Sequence, residues 1–329
     1  MKTTKRNFLK GLVAAPSLAA PALILAGASQ ALADSHVASA SAQVPGFYRY
    51  RVGQIEITAL LDGYMPLPDQ FVLGYDETAA RESTAAVYRR FISGYSSIPV
   101  NGYVINTGDK LILVDAGGSA MISETLGGLT ANLRAAGFDP ADIDTVLFTH
   151  FHPDHIGALL NAEGGKTFEN ATLICDEAEW GFAHSDDVRA AAPDEFKGMI
   201  DMIRSFVAPY NDNREMFSGE KELFTGVTSV PLPGHTPGHT GYAIHSGDES
   251  LLIWGDIIHV STLQFANPDW GVVFDTDPAM AAETRKRMLD RASSDRMAVT
   301  GMHLDFPGFG YVEKSGSAFR HINAPWMPA

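Results

Sequence analysis

The chain has 329 residues, 45% hydrophobic and 19% charged, which excludes a disordered or fibrous protein and leaves ample length for a real core. Its formal charge is −15, and setting aside residues 1–33, with four basic and no acidic side chains, leaves −19. A surface that acidic repels phosphate backbones and argues against nucleic acid as a partner.

The first residues stand apart from the rest. Lys2, Lys5, Arg6 and Lys10 form a basic start, an Ala-rich apolar run follows, and Ala31-Leu32-Ala33 ends it as a small-x-small signal. This order predicts an export signal peptide over 1–33, cleaved after Ala33. Pro16 and Pro21 weaken the run as a permanent span of ~20 strongly apolar residues, so no membrane anchor is expected after cleavage. Residues 4–10 resemble a twin-arginine export signal with Lys5 where the first arginine would stand, and the general secretory route stays open. Either route predicts a periplasmic or secreted bacterial protein. Residues 34–46 are small and polar and read as a flexible arm, and 47–329 as one domain without a fixed repeat. Cys175, the only cysteine, lies in an apolar run, which predicts a buried packing role, no intramolecular disulfide, and metal chemistry resting on His and carboxylates alone.

Residues 54–61 alternate as a strand and stop at Asp62-Gly63; 103–106 and 111–114 read as a hairpin. A helix is predicted over 126–136, with Gly137 just past its end, and a buried strand over 145–148 runs into His150. Residues 171–174 follow as a strand, then 177–184 and 196–207 as helices. Strands are expected at 228–230, 242–245 and 251–254. Asp277-Pro278 caps a helix to about residue 292, and 298–301 is a strand just before His303. Strands and helices mix without the strict alternation of a doubly wound sheet, which points to two packed sheets with helices outside.

The strongest chemical signal is Thr149-His150-Phe151-His152-Pro153-Asp154-His155, in which three histidines and an aspartate fall within six residues after a buried strand. Alternation sends His150 and His152 to one side of an extended segment. Imidazole and carboxylate are the ligands zinc and related cations take when no thiolate is at hand. His235 in Pro233-Gly234-His235-Thr236-Pro237-Gly238-His239, Asp256 after Trp254-Gly255, and His303 after Gly301-Met302 each stand where an apolar strand ends. Five histidines and two aspartates make the inventory of a two-metal site.

The order His-x-His-x-Asp-His, then His, Asp and His, resembles the metallo-β-lactamase superfamily over roughly 47–329. The resemblance implies an αββα four-layer sandwich, two packed mixed β-sheets flanked by helices. It implies that His150, His152 and His235 hold one metal and Asp154, His155 and His303 the other, with Asp256 bridging. Residues 105–117, 233–240, 254–260, 274–278 and 303–308 are further similar to methyl parathion hydrolase and its relatives. Those are exported, often dimeric hydrolases of phosphotriesters, aryl esters or lactones, so a small-molecule substrate and a homodimer are implied. Two cations in such a site share a water and lower its pKa from ~15.7 toward ~7, giving a bridging hydroxide as nucleophile, with Asp154 and Asp256 as the catalytic carboxylates. Zn2+ is the first choice of metal, and Mn2+, Co2+ or Fe2+ suit the same ligands.

His239 reads as a supporting hydrogen-bond partner rather than a ligand. His259, three residues after Asp256, suits a role facing the metals or leaving group as well as a structural one. The resemblance places Trp180 and Phe196 in a helical insert over the site, where they form an apolar substrate pocket or pack in the core. Residues 117–126 lack the aromatic expected opposite them in a phosphotriesterase, Ile122 being the nearest bulky residue. A di-iron redox protein of the same fold, or a non-catalytic metal-binding module, is the alternative to a hydrolase. No Gly-x-Ser-x-Gly elbow, phosphate-binding loop or dinucleotide fingerprint competes.

Overall fold

The computed structural model describes residues 43–328; the expected export segment 1–33 and the arm as far as residue 42 lie outside them. Residues 43–45 are exposed and irregular, and the Gly46 N–H donates to Asn132 Oδ1 at 2.8 Å. Among the described residues no helix is long and apolar enough to cross a membrane.

Two seven-stranded mixed sheets face each other. The first runs in the order Phe47–Val52, Ile55–Pro68, Tyr95–Asn106, Leu111–Val114, Thr145–Leu147, Thr172–Asp176, Arg214–Phe217; its first four strands are antiparallel and the later pairings parallel. The second runs Ala318–Asn323, Gly310–Ser315, Ala298–Thr300, Glu249–Ile253, Thr240–Ser246, Val227–Pro231, Glu222–Phe224, with one parallel pairing, between Glu249–Ile253 and Ala298–Thr300.

The strand sequences are apolar at consecutive positions because both faces of each sheet are covered. Tyr103, Ile105, Ile112 and Val114 point inward, where they meet Tyr242, Ile244, Leu251 and Ile253 of the other sheet. Their neighbours Val104 and Leu113 point outward onto Leu129, Leu133, Ile203 and Phe206, from helices Leu129–Ala135 and Asp194–Val207. Leu252 and Val299 point outward from the second sheet onto Met288 and Leu289 of helix Pro278–Ser294. The period of two thus divides the core into the three seams of an αββα sandwich, each buried aliphatic side chain contributing ~1.5–3 kcal/mol.

The same topology delivers the polar residues. Strands Leu111–Val114, Thr145–Leu147, Val227–Pro231, Glu249–Ile253 and Ala298–Thr300 lead directly to Asp115, His150, His235, Asp256 and His303. Backbone bonds join the strand ends: the Thr240 N–H donates to the Thr149 carbonyl at 2.9 Å, and the Asn101 N–H to the Met302 carbonyl at 2.9 Å.

Asp62-Gly63 does not end its strand. The strand shifts register between Leu61 and Gly63 and continues to Pro68, and Asp62 at the shift is buried, 3% exposed. Its carboxylate accepts the N–H groups of Gly118, Gly127 and Leu129 at 2.9–3.1 Å, which also sets the start of helix Leu129–Ala135 three residues later than its sequence predicts. Gly63 is required, since a Cβ there would lie 1.9 Å from the Thr125 carbonyl oxygen. The Asp62→Ala variant strands three donors and should lose about 3–5 kcal/mol of unfolding free energy in urea. A loss under ~1 kcal/mol would show that the loop at 117–128 is held by something else.

Candidate metal centre

The loop from Thr149 to His155 supplies four polar side chains from one short passage. The chain leaves strand Thr145–Leu147 extended, and His152 (φ −64°, ψ 149°) precedes Pro153, which opens the short helix Pro153–Ile156. His150 and His152 therefore extend from the straight part and Asp154 and His155 from the first helical turn, which splits the motif between two adjacent groups.

In the first group, His150 Nε2, His152 Nδ1 and His235 Nε2 lie 2.9–3.2 Å from one another. In the second, His155 Nε2 and His303 Nε2 lie 3.6 and 3.5 Å from Asp154 Oδ2. Asp256 Oδ2 stands between the groups, 3.7 and 3.5 Å from His150 and His235, and 3.3 and 3.2 Å from His155 and His303. His259 joins them, its Nε2 3.1 Å from the same oxygen and its ring 4.7 Å from that of His235.

The far side of most rings is already engaged. His235 Nδ1 lies 2.7 Å from Asp275 Oδ1, His155 Nδ1 2.7 Å from Asp115 Oδ2, and His303 Nδ1 2.7 Å from the Pro99 carbonyl oxygen. These acceptors require Nδ1 to donate, so the inward Nε2 of each neutral ring carries a lone pair. His239 differs: its Nδ1 donates to the Leu232 carbonyl and its Nε2 accepts the Asp256 N–H at 2.9 Å, so it fixes Asp256 rather than facing inward.

The donor set fits a pair of cations. Three imidazole nitrogens converge in the first group at spacings near the ~3.3 Å edge of a tetrahedron with metal–nitrogen bonds of ~2.0–2.1 Å. His155 Nε2 and Asp256 Oδ1 are buried with no hydrogen-bond partner among the described residues. The triplets His150–His152–His235, His150–His155–Asp256 and Asp154–His155–His303 each bring their ligand atoms within 4.8 Å. Electrostatics agree. Burial pushes His152 down to about 3, with His235 adding to the fall, and pushes His235 down to about 4, so both imidazoles are neutral and free to ligate. For His155 burial acts downward, but Asp256, Asp154 and Asp115 outweigh it and raise the ring well above its usual value. The carboxylates demand positive charge at that point, which a divalent cation supplies.

The sequence profile of the metallo-beta-lactamase superfamily matches residues 97–301 of the 329. The chain belongs to that superfamily. It is 31% identical over 132 residues to N-acyl homoserine lactonase AttM of Agrobacterium fabrum (38% of this chain, 45% of that protein), and 25% identical over 176 residues to the N-acyl homoserine lactonase of Bacillus cereus (48% and 62%). The chain thus spans 45–62% of the length of these curated relatives. Among solved structures, hydrolase AbOPH of the beta lactamase superfamily superposes with a TM-score of 0.82 at 30% identity, covering 87% of this chain and 100% of that one. AidC, a dizinc quorum-quenching lactonase solved with a product, superposes with a TM-score of 0.78 at 27% identity over 86% and 99%.

In this superfamily member, all seven residues singled out as metal ligands reach one region, and His259 reaches it too. Phe196 lines an apolar cavity beside His152. Trp180 does not. It stacks on His184 at 3.9 Å beneath the Arg214 guanidinium and packs into the core. Helical spacing is the reason: residues 179, 182 and 183 share the cavity face of helix Glu177–His184, while 180 and 184 share another, so Phe182 takes the expected place of Trp180. Ile122 is half-buried in the turn after Ser119 and is not part of the cavity wall. Sequence reasoning missed Asp115 and Asp275. Asp115 follows an apolar strand just as the ligands do, a usable signal; Asp275 sits in a loop and carries none.

Asp256→Ala removes the one carboxylate within reach of both groups. Purified Asp256→Ala protein should retain at most one metal per chain by elemental analysis, against two for the wild type, and two retained metals would refute the bridging position.

Proposed function

We propose that this protein is an exported hydrolase that uses two divalent cations, zinc foremost, to cleave small ester-type substrates, with lactones first among them. The observation that carries this reading is an apolar cavity of about 320 Å³ that borders His152 of the three-histidine group. Phe151, Phe182, Phe196, Met199, Ile200 and Phe274 are among the apolar residues of its wall. A cavity of this size and character receives an alkyl or aryl arm while a polar group stays at its mouth. The lactonases among the relatives support an ester bond as that polar group. Aryl esters and phosphotriesters, the substrates of methyl parathion hydrolase-like enzymes, rank second, because no residue of 117–126 contributes to the wall.

Bound cations would supply an activated water and a Lewis acid for the carbonyl under attack. The protein's own part is positioning and exclusion of water. Asp275 and Asp115 aim His235 and His155 inward, and His239 holds the backbone of Asp256. Asp154 and Asp256 concentrate negative charge where the cations would sit. The aromatic wall keeps water from the apolar arm, so binding energy gained there orients the ester.

Zinc-loaded protein assayed against lactones, aryl esters, phosphotriesters and β-lactams should turn over lactones best. Phe196→Ala should raise KM for long-chain lactones about tenfold (~1.4 kcal/mol) with little change in kcat. Turnover confined to β-lactams, or ester cleavage that survives thorough chelation, would overturn the proposal. Export is tested separately: N-terminal sequencing of protein from the periplasm or medium should begin at Asp34, and an intact Met1 would refute cleavage after Ala33.

A further inference from the structure

Glu179 is a buried carboxylate, 2% exposed, whose hydrogen bonds go to residues beside the ligands rather than to the ligand side chains. Its Oε1 accepts the N–H of Phe151 at 2.9 Å, and its Oε2 accepts the Thr236 hydroxyl at 2.6 Å and the Gly238 N–H at 3.3 Å. Phe151 lies between His150 and His152, and Thr236 follows His235. One side chain is thus bonded to both loops that carry the three-histidine group. Gly238 permits this approach, since a Cβ there would stand 2.2 Å from the Glu179 nitrogen.

We infer that Glu179 is the positioning residue of the three-histidine half, clasping the His150/His152 loop to the His235 loop and so fixing how closely their ring nitrogens converge. The inference rests on the two-cation reading above. The other half has no need of the clasp: Asp154 and His155 are adjacent in one turn, and His303 is anchored through the Pro99 carbonyl. Burial, with Asp176 adding to it, pushes the Glu179 carboxyl up to about 7 in spite of its three donors. A side chain that merely filled this space would serve better as a neutral or apolar one.

The test is a titration of zinc-loaded protein with a chromophoric chelator, which removes two zinc ions stepwise, and His235→Ala identifies the step that belongs to the three-histidine group. Glu179→Gln keeps the shape but turns one acceptor into a donor; Glu179→Met removes all acceptors. Both should weaken that step alone by about 10–100-fold while the other step is unchanged. Thr236→Val, which loses one bond from the opposite end, should weaken the same step less, and it decides the matter if the Glu179 variants do not fold. Circular dichroism of the metal-free proteins should stay close to wild type, with a lowered melting temperature for Glu179→Met, which strands three donors. Two unchanged steps in the variants, or equal weakening of both, would overturn the inference alone. A wild type that binds fewer than two zinc ions would overturn the two-cation reading and the inference with it.

Discussion

Three imidazole nitrogens facing one another at 2.9–3.2 Å, with a carboxylate oxygen 3.5–3.7 Å from two of them, form the constraint on which this structure turns. Buried lone pairs held this close repel unless positive charge lies between them, and burial removes the water that would relieve them. The sandwich holds them together nonetheless, through strands whose ends are fixed by packing across two sheets. The folding free energy of the apolar seams is therefore what assembles the polar site.

That arrangement explains the layered supports around the ligands. Three of the inward nitrogens are set by what the opposite nitrogen bonds: Asp275 for His235, Asp115 for His155, the Pro99 carbonyl for His303. Arg285, 1% exposed, donates to the carbonyls of Ile257, Pro268 and Trp270 and lies 3.9 Å from Asp275, so the orientation of His235 is traced back to helix Pro278–Ser294. A rigid second layer of this kind keeps ligands placed before any cation arrives, which lowers the reorganisation that binding would require.

Under the proposed function, selectivity would belong to a different part of the molecule. The cavity wall comes mainly from the helical segment 177–207, outside the sheets that carry the ligands. Changes in that wall would then alter which apolar arm fits without moving the His/Asp centre. Glu179, Phe151, His152, Thr236, Asp275 and Thr276 belong both to the wall and to the ligand loops or their supports, and through them the two parts communicate.

The sequence by itself determined that the side chains of His150, His152, Asp154 and His155 meet at the candidate centre, because they lie in one short stretch and local alternation plus one helical turn divides them between two groups. It determined the central strands too, since runs such as 111–114 and 251–254 are apolar on both faces and need two covering layers. Local sequence could not decide that Asp62-Gly63 is a register shift rather than a turn, because the three N–H groups that make it so lie more than fifty residues away. Nor could it decide between Trp180 and Phe182 for the cavity, or find Asp275 and Glu179: a carboxylate's role depends on which distant backbone and ring nitrogens reach it. Contacts of that range exist only once the sheets have packed.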